Sequence, residues 1–595
     1  MTEFDFLPVS AEDMHARGWW WYDFLVVGGD AYIDHPSFGT AVIARVLEAE
    51  GFRVAVLCQP DWHSAEAFAA MGRPRLGVMI GAGNLDSMVA HYTASKHRRR
   101  EDFYSPGKKM GLRPDRAVTV YANRAREAFP GLPVIIGSLE ASLRRFAHYD
   151  YWQDKVRRSV IFDAKADLLT YGMGDRVIVE IARALHNGFN LKRLTRLGQV
   201  AYLSDRVPEG ALLLHSYEEC LASPERFGEN FTRIETESNK MEAQVLVEKT
   251  GDRYVVVNPP YPYLTEVEID HSFDLPYTRL PHPRYQGKGT ISAYEMIKHS
   301  VNMHRGCFGG CSFCTISAHQ GKFISSRSEA SILREVEQIT RMADFRGNLS
   351  DIGGPSANMY RMEGRNRAAC AKCSRPSCIF PKVCPNLNND HRPLLQLYRT
   401  IRGMKGIKRA YIGSGIRYDL FDDSPYLDEV VKYHTSGRLK VAPEHTSDRV
   451  LALMRKPSFR LFEQLNERFR GICAREGLPY QLIPYFISSH PGCTEADMKQ
   501  LAEATRRLNF RLEQVQDLTP TPMTLSSVMF YTGMNPYTGE KLYVARTREE
   551  KERQKAYFFW YKKLSGDGSR VGKGAKREYK RPWQNTNSKT RKPKR

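Results

Sequence analysis

Three cysteines in the middle of the chain, Cys307, Cys311 and Cys314, have the spacing Cys-x3-Cys-x2-Cys. Cysteine thiolates hold iron–sulfur clusters, and the usual cluster site supplies four of them. Three thiolates therefore ligate three irons of a [4Fe–4S] cube and leave the fourth iron open, which is the arrangement of a catalytic metal site. Two other interpretations are free thiols and a structural zinc site with His304 or His319 as a further ligand. The spacing favours the open iron–sulfur cluster.

Four more cysteines form a second group, Cys370, Cys373, Cys378 and Cys384, with the spacing Cys-x2-Cys-x4-Cys-x5-Cys. Four thiolates in a short segment indicate a closed metal site, and both zinc and a [4Fe–4S] cluster accept such a set. The surrounding segment, residues 355–390, has little that would form a core of its own, so a bound metal would stabilise it. We expect a second iron–sulfur cluster or a structural zinc here, and the context favours the cluster.

Length and composition predict a multidomain protein without a membrane span. The chain has 595 residues, and its 42% hydrophobic content is enough to form sizeable cores in about three or four domains. It has no run of about 18 apolar residues, and residues 1–17 lack the apolar segment of a secretory signal. Eleven cysteines, most of them in the two groups, fit metal binding in a reducing compartment better than a disulfide framework. We therefore expect a cytoplasmic protein.

The first 205 residues alternate apolar strand patterns with helical ones, which is typical of a doubly wound α/β domain with a parallel sheet. The helix pattern at residues 40–51 has an apolar face and ends in glycine. Ligands of such sheets bind at the carboxyl ends of the strands. Residues 206–290 are interpreted as a bridging subdomain. The predicted strands of the N-terminal domain lie at residues 23–27, 53–57, 76–80, 132–136 and 168–171.

Six strand patterns between residues 291 and 540 alternate with helical patterns and predict a partial TIM-type (β/α)6 barrel. The three-cysteine segment follows the first strand, and the second cysteine group lies in the loop after the second strand. Loops at the carboxyl ends of barrel strands carry the functional residues, so both groups are expected on the active face. The strands are predicted at residues 299–304, 348–354, 409–413, 438–442, 481–487 and 511–518.

The segment SVNMHRGCFGGCSFCTISAHQGKFISSRS, from Ser300 to Ser328, resembles the radical SAM superfamily, whose signature is C-x3-C-x-aromatic-C. Within that superfamily the chain is most similar to the YgiQ-like family over nearly its whole length. The resemblance implies that the three cysteines hold a [4Fe–4S] cluster whose open iron binds S-adenosylmethionine. It also implies reductive cleavage of S-adenosylmethionine to a 5′-deoxyadenosyl radical, with a one-electron reductant of the flavodoxin or ferredoxin type as partner. The substrate and further catalytic side chains stay unknown.

The same resemblance assigns cofactor-binding roles to residues at the ends of the barrel strands. One aromatic residue would cover the cluster, and plain packing is its alternative role. A glycine pair would meet the amino group of S-adenosylmethionine through its backbone, and two polar residues would contact the methionine part and the ribose. The residues are Phe313, Gly353, Gly354, Ser414 and Glu444.

The N-terminal domain resembles the cobalamin-binding fold that precedes many radical SAM cores. The turn Gly172-Met173-Gly174-Asp175 lies where those proteins carry a similar glycine-acid turn. Their usual pattern places an aspartate two residues before a ligating histidine, whereas Asp34 and His35 are adjacent here. Cobalamin is therefore a possible cofactor that this pattern disfavours.

The net charge of +21 raises the question of nucleic-acid binding, but about half of the excess lies at the C-terminus. Residues 561–595 contain 13 Lys and Arg against 2 acids, which gives +11. Residues 541–564 are predicted to form a charged helix, and residues 565–595 a disordered basic tail. The tail sequence Lys580-Arg581-Pro582-Trp583 combines charge with an aromatic ring, which suits single-stranded RNA.

Three functions follow from these patterns. The first is a radical SAM enzyme of unknown substrate. The second is an RNA-modifying radical SAM enzyme, because residues 441–455 resemble tRNA methylthiotransferases. Those enzymes carry a further cluster on an N-terminal domain, whereas only Cys58 and Cys220 precede residue 300 here. The third is a zinc-stabilised nucleic-acid-binding protein without catalytic activity.

Overall fold

A nine-stranded sheet is the centre of the N-terminal half in the computed structural model, which describes residues 5–421 and 425–562. The first five strands along the chain that join it are parallel. Three antiparallel pairs and one parallel pair at the edge continue it. The α/β class and the doubly wound arrangement predicted from the sequence are confirmed. Across the sheet the order is Val54–Cys58, Phe24–Gly28, Gly77–Ile80, Val134–Ile136, Leu168–Thr170, Val200–Ser204, Arg253–Val257, Leu246–Thr250 and Leu212–Leu213.

The parallel strands read as apolar runs because helices cover both faces of the sheet. In the first strand, Phe24–Gly28, Phe24 and Val26 belong to one hydrophobic core, and Leu25 and Val27 to the other. The second strand along the chain pairs on one side of this strand, and the third pairs on its other side. The strand order therefore reverses at this strand. Such a reversal opens a crevice at the carboxyl ends of the strands, where doubly wound proteins bind ligands.

Residues 206–290 differ from the separate bridging subdomain that the sequence suggested. They supply three strands to the edge of the same sheet, and the pair Leu246–Thr250 and Arg253–Val257 forms an antiparallel hairpin within it. Local sequence patterns predict a strand but do not say which sheet it joins, since its hydrogen-bond partners lie far away along the chain. The helix Glu266–Phe273 then leads toward the second half.

The second half is the predicted partial barrel, and its strands pair in parallel in the order of the chain within two groups. Their apolar side chains share one core, which includes Val301, Ile352, Val441 and Phe486. The barrel strands are Ser300–Asn302, Asn348–Leu349 with Asp351–Gly353, Arg409–Ala410, Arg438–Glu444, Gln481–Ser488 and Gln514–Asp517. Three short antiparallel pairs complete the strands: His148–Asp150 with Lys155–Arg157, His304–Arg305 with Ser325–Ser326, and Glu363–Gly364 with Leu387–Asn388.

The helices fill the connections between strands. Those of eight or more residues are Gly39–Ala49, Ala117–Ala128, Asp175–His186, Pro224–Ser238, Glu266–Phe273, Glu329–Thr340, Arg392–Gly403, Phe459–Arg475, Glu495–Arg507, Leu525–Thr532 and Arg548–Ala556. Shorter ones are Ala11–Ala16, Glu66–Ala69, Ser87–His91, Ser138–Ser142, Val160–Asp163, Tyr217–Ala222, Ser292–Ile297, Ile316–Gln320, Arg367–Ala371, Tyr426–Glu429 and Asp448–Met454. Within the described part of the chain, no helix is both long and apolar enough to cross a membrane.

The charged helix predicted near the C-terminus forms at Arg548–Ala556, where Thr547 and Glu550 make a capping box. Two of its polar side chains are buried against both halves of the molecule. Gln554 accepts a hydrogen bond from the Ser489 amide at 2.8 Å, and Lys551 donates one to the Tyr151 hydroxyl. The predictions for residues 565–595, including the Lys580–Trp583 stretch, lie outside the described residues.

Candidate metal centre

The three-cysteine loop, residues 305–314, leaves the first barrel strand at its carboxyl end and continues into the helix Ile316–Gln320. Cys307, Cys311 and Cys314 are half-buried, and none is in a disulfide. Burial, together with the neighbouring thiols, raises the pKa of Cys307 to about 11 and that of Cys314 to about 12. A bound cation removes the thiol proton outright, so these are buried donors that fit a metal cluster. The structure thus brings together the three cysteines that the sequence predicted as ligands.

Two glycines of this loop are required by its packing. Gly306 has φ +90° and Gly310 has φ +60°, both in the left-handed region. A Cβ atom on Gly306 would lie 2.2 Å from the carbonyl oxygen of Phe323, and one on Gly310 would lie 2.2 Å from that of Pro376. Neighbouring main chain therefore encloses the loop closely on two sides.

Arg417 is the charged side chain that contacts the three-cysteine loop. Its Nη1 donates a hydrogen bond to the Cys311 sulfur at 3.1 Å. Its Nε and Nη2 donate to the Asp419 carboxylate at 2.9 and 2.5 Å, which pairs the buried charge. Hydrogen bonds to sulfur ligands help to set the reduction potential of an iron–sulfur cluster. The sequence pattern did not indicate this pair, although its place after the third barrel strand was a usable signal.

A buried polar network anchors the loop to the far side of the barrel. The Ser312 hydroxyl lies 3.2 Å from Nε2 of His490 and 2.8 Å from the Ser526 hydroxyl. His490 Nε2 also lies 2.7 Å from the Ser526 hydroxyl, which closes a triangle of contacts. Because all three side chains are buried, this network fixes the position of the residue next to Cys311.

Gly353 and Gly354 end the second barrel strand, and both are tightly packed. A Cβ atom on Gly353 would lie 2.4 Å from the Ser414 hydroxyl oxygen, and one on Gly354 would lie 2.4 Å from Cε1 of His304. The Asp351 carboxylate accepts hydrogen bonds from the Ser414 amide at 3.2 Å and from its hydroxyl. The structure therefore brings the glycine pair and Ser414 together, and Asp351, which the sequence analysis missed, holds Ser414 in place.

Glu444 ends the fourth barrel strand at a bulge, with φ +69°. Strained backbone of this kind is concentrated at functional sites. Burial raises the pKa of its carboxyl group, and the charges of Lys456 and Arg417 oppose that effect. Burial also raises the pKa of Cys314, and the charge of the Glu444 carboxylate adds to this effect. Phe313 is partly buried and packs against the barrel core, and its role over a cluster stays a prediction.

The four-cysteine loop, residues 355–390, is closed at its base by the pair Glu363–Gly364 and Leu387–Asn388. All four thiols are half-buried and free of disulfides. The Cys370 sulfur accepts a hydrogen bond from Asn386 Nδ2 at 3.2 Å, and a Cβ atom on Gly364 would lie 2.2 Å from it. Burial raises the pKa of Cys378 to about 11, and the other three thiols add to this effect. The four predicted donors are therefore gathered around one place.

Neither cysteine group is a ready-made site for a single ion. Within residues 5–421 and 425–562, no three His, Cys, Asp or Glu side chains are close enough together to hold one metal ion. A single zinc takes all its thiolates at about 2.3 Å, whereas a cube takes each thiolate to a different iron.

A cavity of about 510 Å³ lies at the carboxyl ends of the N-terminal strands. The glycine-acid turn at Gly172 and Asp175 lines it, and Asn302 and His319 line it from the barrel side. The Arg305 guanidinium, which also lines this cavity, forms a buried ion pair with Asp175 at 2.8 Å. The cavity therefore lies between the sheet and the segment that carries the three-cysteine loop.

Asp34 and His35, the adjacent pair considered for cobalamin, lie outside the lining of this cavity. Asp34 forms a buried ion pair with Arg45 at 2.6 Å. Nδ1 of His35 accepts a hydrogen bond from the Ser37 amide at 3.1 Å, and burial lowers the pKa of His35 well below its usual value. Asp34 is paired with Arg45, Nε2 of His35 is buried without a hydrogen-bond partner, and neither residue lines the cavity.

Comparisons with known proteins agree with this architecture. The family model "Radical SAM N-terminal" matches residues 6–300, and a domain of unknown function, DUF3362, matches residues 513–564. A UPF0313 protein of Porphyromonas gingivalis is 55% identical over 580 residues, which cover 95% of this chain and 91% of that protein. A UPF0313 protein of Bacteroides thetaiotaomicron is 52% identical over 585 residues, 94% of each chain.

A solved structure with a similar fold is that of TsrM from Kitasatospora setae, a radical S-adenosylmethionine methyltransferase with cobalamin and a [4Fe–4S] cluster bound. The TM-score is 0.50 at 16% sequence identity, and the match covers 85% of this chain and 77% of TsrM. At that identity the likeness concerns the fold, an α/β N-terminal domain followed by a radical SAM barrel.

Proposed function

The chain belongs to the UPF0313 family of radical SAM proteins, and on that premise we propose that it is a radical SAM enzyme with a [4Fe–4S] cluster on Cys307, Cys311 and Cys314. The observation that carries the proposal is a loop of three half-buried thiols, none in a disulfide, at the carboxyl end of the first barrel strand. Bound together, the cluster and S-adenosylmethionine supply the reductive cleavage of a carbon–sulfur bond and a radical that abstracts hydrogen from a substrate. Which substrate is used is a separate question.

The residues around the loop have the chemistry to bind S-adenosylmethionine. The backbone of Gly353 and Gly354 offers polar groups at the end of the second strand, where side chains are excluded by close packing. The Ser414 hydroxyl is oriented by Asp351, and the buried Glu444 carboxylate ends the fourth barrel strand. We assign these groups to positioning the amino acid part and the ribose of the cofactor beside the open iron. Their polar atoms lie on rigid strand ends, which is where a positioning role needs them.

Arg417 contributes to the same site by stabilising negative charge. A buried guanidinium that donates to the Cys311 sulfur stabilises negative charge on that sulfur. Asp419 keeps the guanidinium in a fixed orientation. Because the charge of a cluster becomes more negative on reduction, this contact favours the reduced state that begins the reaction.

For the four-cysteine loop we propose a second [4Fe–4S] cluster on Cys370, Cys373, Cys378 and Cys384. Four half-buried thiols without disulfides are the ligand set of a closed cube, which supports the proposal. The loop lies on the same face as the three-cysteine loop, because the Ser377 hydroxyl donates a hydrogen bond to the Gly309 carbonyl at 2.8 Å. A cluster there would supply electron transfer close to the catalytic one.

The test is anaerobic reconstitution of the full chain with iron and sulfide, followed by dithionite and S-adenosylmethionine. The expected result is 5′-deoxyadenosine, with about eight irons per chain for two cubes. About four irons with one zinc would keep the catalytic cluster and make the four-cysteine loop a zinc site. Bound zinc without iron-dependent cleavage would overturn the proposal.

A further inference from the structure

Arg145 differs from the other buried arginines of the described residues because it has no carboxylate partner. Within the described residues nine arginine side chains are buried, and eight of them have a carboxylate within 4.0 Å. Arg145 has none, although only 3% of it is exposed. The eight paired arginines are Arg45, Arg113, Arg144, Arg279, Arg305, Arg327, Arg417 and Arg455.

The contacts of Arg145 leave part of its guanidinium unused. Nη1 donates a hydrogen bond to the Ser142 carbonyl at 2.7 Å, and the guanidinium carbon lies 4.5 Å from the centre of the Tyr171 ring. Its buried Nε has no hydrogen-bond partner in the structure. Burial lowers the pKa of Arg145, which reflects the cost of keeping this charge away from water. Proteins rarely keep a buried charge without a counter-charge, so a missing partner indicates a ligand position.

Arg145 lines two cavities, and Ser317 and Ala318 of the helix Ile316–Gln320 line both of them. One cavity reaches Cys311 and Cys314, and the other extends past Tyr171 to Lys322. The second cavity also shares Gly172, Arg305 and His319 with the large cavity of the N-terminal sheet. A molecule held at Arg145 would therefore lie next to the three-cysteine loop.

The charged side chains that line the second cavity are all positive, which favours an anionic ligand. Its lining contains Arg145, Lys240, Arg305 and Lys322, and no Asp or Glu among the described residues. Lys322 is buried, and its Nζ donates to the carbonyl oxygens of Cys373 and Arg375 at 3.1 and 2.8 Å rather than to a carboxylate. Arg145 thus has no carboxylate in this cavity, and Lys322, which is bound to the four-cysteine loop, brings a further positive charge to it.

The cavity beside the cysteines does contain one carboxylate, Glu235, which already has partners. It accepts hydrogen bonds from both terminal nitrogens of Arg455 at 2.7 and 2.8 Å, and another from the Tyr537 hydroxyl. Glu235 therefore pairs with Arg455 and Tyr537 and does not neutralise Arg145.

We propose that Arg145 binds the anionic group, a phosphate or a carboxylate, of a small-molecule substrate that lies between the N-terminal sheet and the three-cysteine loop. The planar guanidinium offers paired N–H donors that match either anion. Lys322 adds a second positive charge to the site, and the ring of Tyr171 holds the guanidinium in place. This inference rests on the proposed function for the identity of the ligand as a substrate, but the anion site stands on its own residues.

The test is thermal unfolding of the full chain at constant ionic strength with inorganic phosphate or succinate as probe. For the wild type we expect a saturable rise of the unfolding temperature with one of the two anions, and the better anion identifies the group. Arg145→Met should weaken the apparent affinity about tenfold or more, because a charge-assisted pair is lost. Arg460→Met removes one positive charge from an exposed side chain and should leave the affinity unchanged.

Three outcomes would overturn the assignment. One is that neither anion stabilises the wild type, and another is that Arg145→Met and Arg460→Met weaken binding equally. The third is that Arg145→Met without anion unfolds at a much lower temperature, as Arg455→Met should, because Arg145 would then be a structural residue. Cys311→Ala separates the two proposals: it removes a cluster ligand, so anion binding that survives in it supports the site even if cluster chemistry fails.

Discussion

The backbone amide of Cys378 donates a hydrogen bond to the carbonyl oxygen of Phe308 at 3.0 Å, so the two cysteine groups are joined through their own main chains. Phe308 follows Cys307 directly, and its side chain packs in a small core with Ile379 and Leu387. The Cys384 amide in turn donates to the Cys378 carbonyl at 2.7 Å. A change in the conformation of one loop therefore moves the other, and metal bound at one group restricts both.

Cys311→Ala should abolish iron-dependent cleavage of S-adenosylmethionine, because two thiolates do not hold a cube with one open iron. Anaerobic reconstitution should then show about four irons fewer than in the wild type and no 5′-deoxyadenosine. Cys473→Ala is the matched control, since Cys473 is buried and lies outside both groups. Full cleavage by the Cys311 variant would refute the ligand assignment.

Cys373→Ala tests the four-cysteine loop. If the loop holds a second cube, the variant should lose about four irons and keep the spectroscopic signature of the catalytic cluster. Loss of one zinc with unchanged iron would identify a structural zinc instead. Iron and zinc are counted in the same sample by elemental analysis, again with the Cys473 variant beside it.

Arg417→Met should lower the reduction potential of the catalytic cluster, because the N–H···S hydrogen bond and the nearby positive charge are both lost. A charge-assisted hydrogen bond contributes about 1.5 kcal/mol, which for one electron corresponds to a shift of about 60 mV. A redox titration followed by electron paramagnetic resonance measures this shift. Arg417→Lys keeps the charge and should give a smaller shift, and equal potentials in all three proteins would contradict the tuning role.

Arg305→Met should destabilise the fold, because it leaves Asp175 buried without its partner. Breaking one side of a buried pair costs about 3–5 kcal/mol, whereas replacing both partners with apolar residues is often nearly neutral. Urea unfolding of Arg305→Met and of the double variant Arg305→Met, Asp175→Leu measures both effects. If the double variant has as low a free energy of unfolding as the single variant, the unpaired charge of Asp175 is not the cause of the instability.

His304 should make the protein less stable in mild acid. Burial lowers the pKa of His304 to about 3, and its two ring nitrogens have no hydrogen-bond partner in the structure. The unfolded chain takes up a proton below its pKa of about 6.5 while the folded chain does not, so stability falls as the pH decreases through this window. At pH 5 the expected loss is about 2 kcal/mol.

His304→Leu should remove that part of the pH dependence, as measured by urea unfolding between pH 7 and pH 5. His97→Leu, a change at an exposed histidine, is the control and should keep the wild-type slope. Identical slopes for the wild type and His304→Leu would mean that the imidazole finds a partner or water in solution.

The sequence predicted the elements whose pattern is local. The fifth barrel strand, Gln481–Ser488, agrees with its prediction to one residue, because an apolar strand between polar turns is visible in the sequence itself. The three-cysteine spacing likewise identified a loop by its own residues. Contacts between distant segments were not predictable, and these include the strands that residues 206–290 add to the N-terminal sheet. Arg145 and Arg417 belong to the same class, since only the fold shows which charges are buried and which are paired.

The contact between Lys551 and Tyr151 has a consequence for the synthesis of the protein. The two residues are separated by 400 positions, and a ribosome adds about 5–20 residues per second, so Tyr151 waits about 20–80 s for its partner. During that time the helix Arg548–Ala556 is missing from the junction between the two halves. The surface at this junction therefore stays uncovered until late in synthesis, and proteases and chaperones can bind it during that time.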